Sequence, residues 1–204
     1  EAEQQLQQAA QSVEFVVLPF ACTNEGKGAP LGLGLQRWLA QEVSKRDLRS
    51  AAPVFTALAK NQEGRDVPAL MIYRDTWNDE RAVEGIGKFL NAKRGLLPNL
   101  HVAEDLIRLS ATVVDVSGDG DDLTLAPVHE ANFEAKPDEL AEKLVAFLDE
   151  ILAFHGKPPA GATWSEVFGT ENRQALVSYL VGLGNLSALQ GRVVPAPAEQ
   201  LSNP

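Results

Sequence analysis

Gly26-Lys27-Gly28 followed by Gly32-Leu33-Gly34 comes nearest, by residue type, to a ligand site in this sequence. These residues sit between a strand-like run and an amphipathic run. A strand, a Gly-containing loop and a helix amino terminus together can hold an anion, because the first N–H groups of a helix point outward at the positive end of its dipole. Gly26, Lys27, Gly28, Gly32 and Gly34 are therefore the candidate binding residues. Their spacing matches neither the phosphate loop that ends in Lys-Ser/Thr nor the three-glycine dinucleotide pattern. No cofactor is implied. The competing reading of the same stretch is a flexible loop with a tight helix entry.

Other reactive residue types are scattered. Cys22 is the only cysteine, so no intrachain disulfide can form and no Cys-rich zinc site exists. Paired with His101, His129 or His155 it would supply a thiol and a base, but no local signature of a nucleophile surrounds it. A small core residue is the expectation. The histidines are too dispersed for a metal-ligand pattern, and no metal or catalytic residue is assigned. Asp115 to Asp121 has the acids of a calcium loop, yet its twelfth position, counted from Asp115, is Ala126 where a bidentate acid is required. It reads as a hairpin turn. Trp38 fits a core stripe, whereas Trp77 and Trp164 stand at helix entrances, where they cover a core or make an exposed contact. They are the candidate interaction residues.

The elements that would position these residues follow from periodicity. Val13 to Phe20 is β-branched and aromatic, as a strand requires, and Pro19 marks its end or an edge. Leu31, Leu35, Trp38, Leu39 and Val43 recur at helical spacing over 31–46. Residues 47–52 suit a short strand, and Pro53 suits the first turn of a helix through Val54, Phe55, Leu58 and Ala59. A strand over 67–73 comes next. Thr76 or Asn78 then caps a helix with Ala82, Val83, Ile86, Phe89 and Leu90 on its apolar face. Lys93 and Arg94 complement the dipole at its end, and Gly95 and Pro98 stop it. Residues 106–116 and 122–129 alternate around the Gly/Asp turn as a hairpin, with Pro127 at an edge or bulge.

From Pro137, a helix buries Leu140, Leu144, Phe147, Leu148, Ile151 and Leu152. Gly156-Lys157-Pro158-Pro159 breaks the chain before a last helix over 170–189, with Leu176, Tyr179, Leu180, Leu183 and Leu186 along one side. Gly182 and Gly184 in that helix are expected to permit close helix contact. The organisation is thus a flexible leader over 1–12, an α/β domain over 13–156, a helical appendage over 157–191 and a Pro-rich tail over 192–204.

A net charge of −10 argues against a role built on phosphate-backbone contacts, so no nucleic-acid partner is expected. Lys88, Lys93 and Arg94 make the one local basic cluster. No apolar run reaches the ~18 residues of a membrane span. The chain begins at Glu1 rather than Met, as it would after removal of a leader.

Val16-Val17-Leu18-Pro19-Phe20, the polar Gly loop and the Leu-rich helix with Trp38 resemble the amino-terminal domain of TolB-like bacterial proteins. Residues 49–59, the hairpin over 106–125 and the helix over 137–154 resemble its following pieces. Residues 170–182 look like the start of the tetratricopeptide repeats into which such chains often continue. The resemblance implies a mixed β-sheet with helices packed on it, like that of anticodon-binding domains. It carries no shared catalytic residues. It implies a non-enzymatic protein-interaction or scaffolding module of a bacterial envelope or regulatory assembly, favours periplasm or envelope over cytoplasm, and leaves the protein partner unnamed. The alternative is a small-ligand or anion-binding domain using Gly26 to Gly34.

Overall fold

A computed structural model describes residues 13–24, 28–60, 63–87, 89, 92–104, 106–118, 122–161 and 163–190. The leader, Gly26, Lys27, Lys88, Leu90, the tip of the Gly/Asp turn and the tail lie outside the described residues. The fold is the expected mixed α/β arrangement. The main sheet has strand order β3-β1-β6-β7-β8, from β1 (Phe15–Val17), β3 (Ser50–Ala51), β6 (Arg94–Val102), β7 (Ile107–Ser117) and β8 (Thr124–Ala135). The short β2 (Ala21–Cys22) continues the line of β1 along β6. Pairing is parallel from β3 to β6 and antiparallel from β6 to β8.

One face of this sheet is covered by α1 (Ala29–Ser44) and α3 (Leu140–Phe154). The stripe of α3 is the one its periodicity predicts, with Leu144, Leu148 and Ile151 buried against Val113, Ala131 and their neighbours. Each such buried side chain contributes about 1.5–3 kcal/mol relative to exposure. The short α4 (Trp164–Phe168) seats Phe168 flat on Trp38, ring centroids 5.0 Å apart. The last helix, α5 (Arg173–Gln190), lies on α1, and its Leu176 and Leu180 belong to the same core. On the opposite sheet face α2 (Asp79–Ile86) packs Ala82 and Ile86 on Val16, Leu18, Leu97 and Val114.

Several local expectations are corrected. Residues after Pro53 form a strand rather than a helix: β4 (Thr56–Lys60) pairs with β5 (Asp66–Leu70) in a separate two-stranded ribbon. Phe55 is buried at the root of this stretch against α2, but beyond it every residue of β4 is exposed, so no helix face is formed. The helix after Asn78 ends at Gly87, and Asn78 does cap it by accepting from the Arg81 N–H at 3.0 Å. Gly95 and Pro98 do not follow a helix end; both lie inside β6, flanked by strands on both sides. Gly95 leaves room for Ile86 of α2, which an added Cβ would overlap. Leu18 donates to the Leu96 carbonyl and Thr23 to that of Leu100, so even-numbered residues of β6 turn their backbone groups toward β1 and β2. The missing N–H of Pro98 therefore faces the break between those strands at Pro19-Phe20, where no ladder bond is lost. Pro19 makes that break, and its carbonyl accepts from Trp77 Nε1 at 3.0 Å.

The hairpin of β7 and β8 is longer than its alternation indicates, and Pro127 has both expected features. β8 is an edge strand, and its register shifts between the pairs Val113–His129 and Val114–Pro127. The extra residue, Val128, turns Leu125 toward α2 while His129, Ala131 and Phe133 face α3. In α5 the expected stripe is only half right: Leu176 and Leu180 are buried, but Tyr179 and Leu186 are about half exposed.

Candidate functional site

Of the glycines proposed to hold a ligand, Gly28 ends the loop with φ 82° immediately before α1, where a Cβ would overlap Val102. Gly32 and Gly34 lie inside α1 and face different neighbours. Gly32 abuts Phe20 and Cys22; Gly34 abuts the backbone of Leu180 in α5, and Gly184 abuts Pro30 and Gly34 in return. Gly32 and Gly34 thus serve helix–sheet and helix–helix packing; Gly28 and Gly32 share Leu100 as a neighbour, while Gly34 faces α5. Gly184 has the close contact expected of it, whereas nothing stands near Gly182.

Trp77 is half-buried and stacks at a tilt on Tyr73, centroids 4.4 Å apart, while Phe55 meets Tyr73 edge-on at 5.9 Å. Trp164 is also half-buried, with the Arg173 guanidinium 5.3 Å from its ring centre. The two tryptophans therefore serve separate corners of the molecule. Cys22 is buried, its thiol donates to the Phe20 carbonyl at 3.6 Å, and burial pushes its pKa up to about 12. A thiol so held stays protonated. The basic cluster is dispersed into ion pairs: Arg94 bonds Asp115 at 2.8 Å, and Lys93 reaches Glu14 at 3.0 Å. Hydrogen bonds from Lys93 and then Arg49 lower the pKa of Glu14. Among the described residues, no group of three or more His, Cys, Asp or Glu could hold a metal ion, and no helix is long and apolar enough to cross a membrane.

Two surfaces stand out instead. The first is the β4–β5 ribbon. It is rooted where Gln36, buried in α1, donates both to the Val17 carbonyl at 2.8 Å and to the Pro53 carbonyl at 2.9 Å. Phe55 is buried against Tyr73, and the Met71 N–H donates to the Phe55 carbonyl at 2.9 Å. Beyond that root the ribbon leaves the body. Leu58 is 74% exposed, and an ion pair of 2.8 Å between Lys60 and Asp66 closes the ladder before the connecting loop. Among the described strands, β4 has no neighbour other than β5.

The second is the part of the main sheet that α2 leaves open. Cross-strand register aligns Asn99, Ser110 and Asn132 in one row and His101, Arg108 and Glu134 in the next. With Thr23 and Thr76 at its rim these rows line a groove of about 380 Å³. Arg108 is spent on Glu134 at 2.9 Å. The buried Oδ1 of Asn99 has no hydrogen-bond partner. The groove mixes these polar groups with Leu100, Leu109 and Phe133 and is close to charge-neutral. The sequence carried a signal for it in the alternating polar positions Arg108, Ser110 and Thr112. Asn99 was hidden in a run read as a helix stop, and Asn132 lay beyond the expected strand end.

No protein-family model and no curated protein matches the chain.

Proposed function

We propose that this chain is a non-enzymatic protein-interaction or scaffolding module, of the kind the TolB-like opening implies for a bacterial envelope or regulatory assembly. The observation that carries this reading is the β4–β5 ribbon: a firmly rooted arm whose apolar Leu58 and free β4 edge stand in solvent. An isolated two-stranded ribbon is marginally stable in water, and an exposed strand edge is a template for another chain. A surface of this type gains from a partner and costs stability without one.

Lys60 near the arm's tip allows a direct test by amine cross-linking in the native cell followed by mass spectrometry. Intermolecular cross-links from Lys60 are expected, and Leu58→Asp should remove most of them. With isotope-labelled and unlabelled copies co-expressed, a Lys60 that links neither to another protein nor to a differently labelled copy would overturn the reading.

A second reading, a small polar ligand in the open groove, is favoured by the unpartnered Asn99 Oδ1. A buried acceptor without a donor is unfavourable by about 1–3 kcal/mol, which a hydroxyl or amide of a ligand would recover. This reading keeps the ligand-binding alternative and moves it from the glycines to the sheet.

A further inference from the structure

We propose that the β4 edge pairs with the same edge of a second copy of this chain, antiparallel about Leu58, to close a two-fold dimer. The proposal rests on the association reading above and names its partner.

The backbone of the ribbon decides which edge is open. In an antiparallel pair, directly opposed residues alternate between those that exchange hydrogen bonds and those whose N–H and C=O groups point away. The Met71 N–H donates to the Phe55 carbonyl, so Phe55 opposite Met71 belongs to the bonded set. Counting by twos through the register, Ala57 and Ala59 are bonded to β5. Thr56, Leu58 and Lys60 then direct their backbone groups outward along the free edge of β4. On β5 the outward set is Asp66, Pro68 and Leu70, opposite these three. Pro68 has no N–H. The outer edge of β5 lacks its central donor, whereas that of β4 is complete.

The β4 edge is also complementary to itself. Antiparallel pairing about Leu58 places Leu58 opposite its own counterpart, Ala57 opposite Ala59, and Thr56 opposite Lys60. Small faces small, the exposed leucines cover one another, and no like charges meet. The same residue contacts recur on both sides of the axis, as a two-fold interface requires. Once two β4 edges are joined, the outer strands of the resulting sheet are both β5. Their Pro68 opposes further growth, so the assembly stops at two copies rather than running on as a fibre.

The test is sedimentation equilibrium of the purified full chain over a range of concentrations, with Leu58→Lys and Leu58→Asp beside the wild type. An interface this small should give a dissociation constant in the range of roughly 10–1,000 μM. Each variant alone places like charges across the axis, and its self-association should weaken by roughly tenfold or more. An equimolar mixture of the two places Lys opposite Asp and should recover a one-to-one dimer. Circular dichroism checks that both variants keep the wild-type fold. A wild type that stays monomeric to about 1 mM overturns the proposal. So does a Leu58→Lys chain that dimerises like the wild type, or a mixture that recovers no dimer. If the purified chain is monomeric while Lys60 still cross-links to other proteins in cells, the homotypic proposal falls and the association reading stands.

Discussion

The crossing of α1 and α5 and the β4–β5 ribbon are built from similar small residues, with opposite results. At the crossing, Gly34 and Gly184 let two helix backbones approach until neither tolerates a Cβ. In the ribbon, Ala57 and Ala59 are small and exposed. Small residues bring backbones together when a second element faces them. Where none does, they leave a strand flat, unobstructed and open to a partner. The first region holds the fold, and the second is available for association.

The largest expected effect breaks the crossing. In Gly34→Ala the new methyl would collide with the Leu180 carbonyl, which is backbone and cannot rotate away. Overpacking of this kind costs on the order of 3 kcal/mol. The midpoint of chemical denaturation should fall accordingly, with Leu180 and Leu176 displaced from the core. A variant as stable as the wild type would mean that α5 does not lie on α1 in solution.

Next in size is a pH dependence confined to the body. His155 follows the last turn of α3, its ring 4.7 Å from that of Phe15, with Nδ1 3.2 Å from an Arg94 nitrogen. Burial lowers its pKa, the Arg94 charge lowers it further, and the value falls to about 4 although Asp115 opposes the shift. A histidine with a depressed folded pKa binds fewer protons than the unfolded chain between about pH 6.5 and 4. Its contribution is therefore complete above pH 6.5 and is lost as the pH falls toward 4. The full shift would correspond to about 3 kcal/mol, and solvent screening of this half-buried ring reduces the expected loss to on the order of 2 kcal/mol. His155→Gln should flatten this part of the stability profile while the proposed association of the ribbon stays unaffected. An unchanged slope in the variant would assign the pH dependence to other groups.

The sequence made the body far more legible than the ribbon. The stripe of α3 and the apolar face of α1 are periodic because one side of each helix meets the sheet, and burial writes that side into the sequence. β6 was hidden because its Gly and Pro carry meaning only in three dimensions. Gly95 admits Ile86, and Pro98 faces a break in the neighbouring strand line. The ribbon was misread for the opposite reason. Phe55 meets the core at the root, but no core selects the pattern of β4 beyond it, so the helical spacing that Leu58 and Ala59 complete is accidental. Gly32 and Gly34 stand out in the sequence but do not declare their packing role, since close packing and anion binding call for the same residue. The polar groove depends on register between strands, which no single stretch of sequence contains.

A smaller effect, of opposite sign, sharpens the contrast within α5 itself. Gly182 is exposed with nothing near it, while Gly184, two residues on, is sealed against α1. Gly182→Ala should stabilise the protein by about 0.5–1 kcal/mol, the intrinsic helix preference of Ala over Gly. Thermal unfolding would register this as a modest rise in Tm. A fall would place an unrecognised neighbour at Gly182.

The smallest effect on stability belongs to the residue on which the proposed association turns. Leu58 is exposed and touches no core cluster, so Leu58→Ser removes no buried area from the monomer. Exposed substitutions of this kind change stability by less than about 0.5 kcal/mol, and the denaturation midpoint of a dilute sample should be the wild type's. The same change would take the apolar contact from the proposed two-fold axis, so at high concentration the wild type should gain stability that the variant does not, by mass action. Denaturation curves at two protein concentrations check this directly. Coincident curves for both chains at both concentrations would leave Leu58 an ordinary exposed leucine, and would turn attention to the open groove as the functional surface.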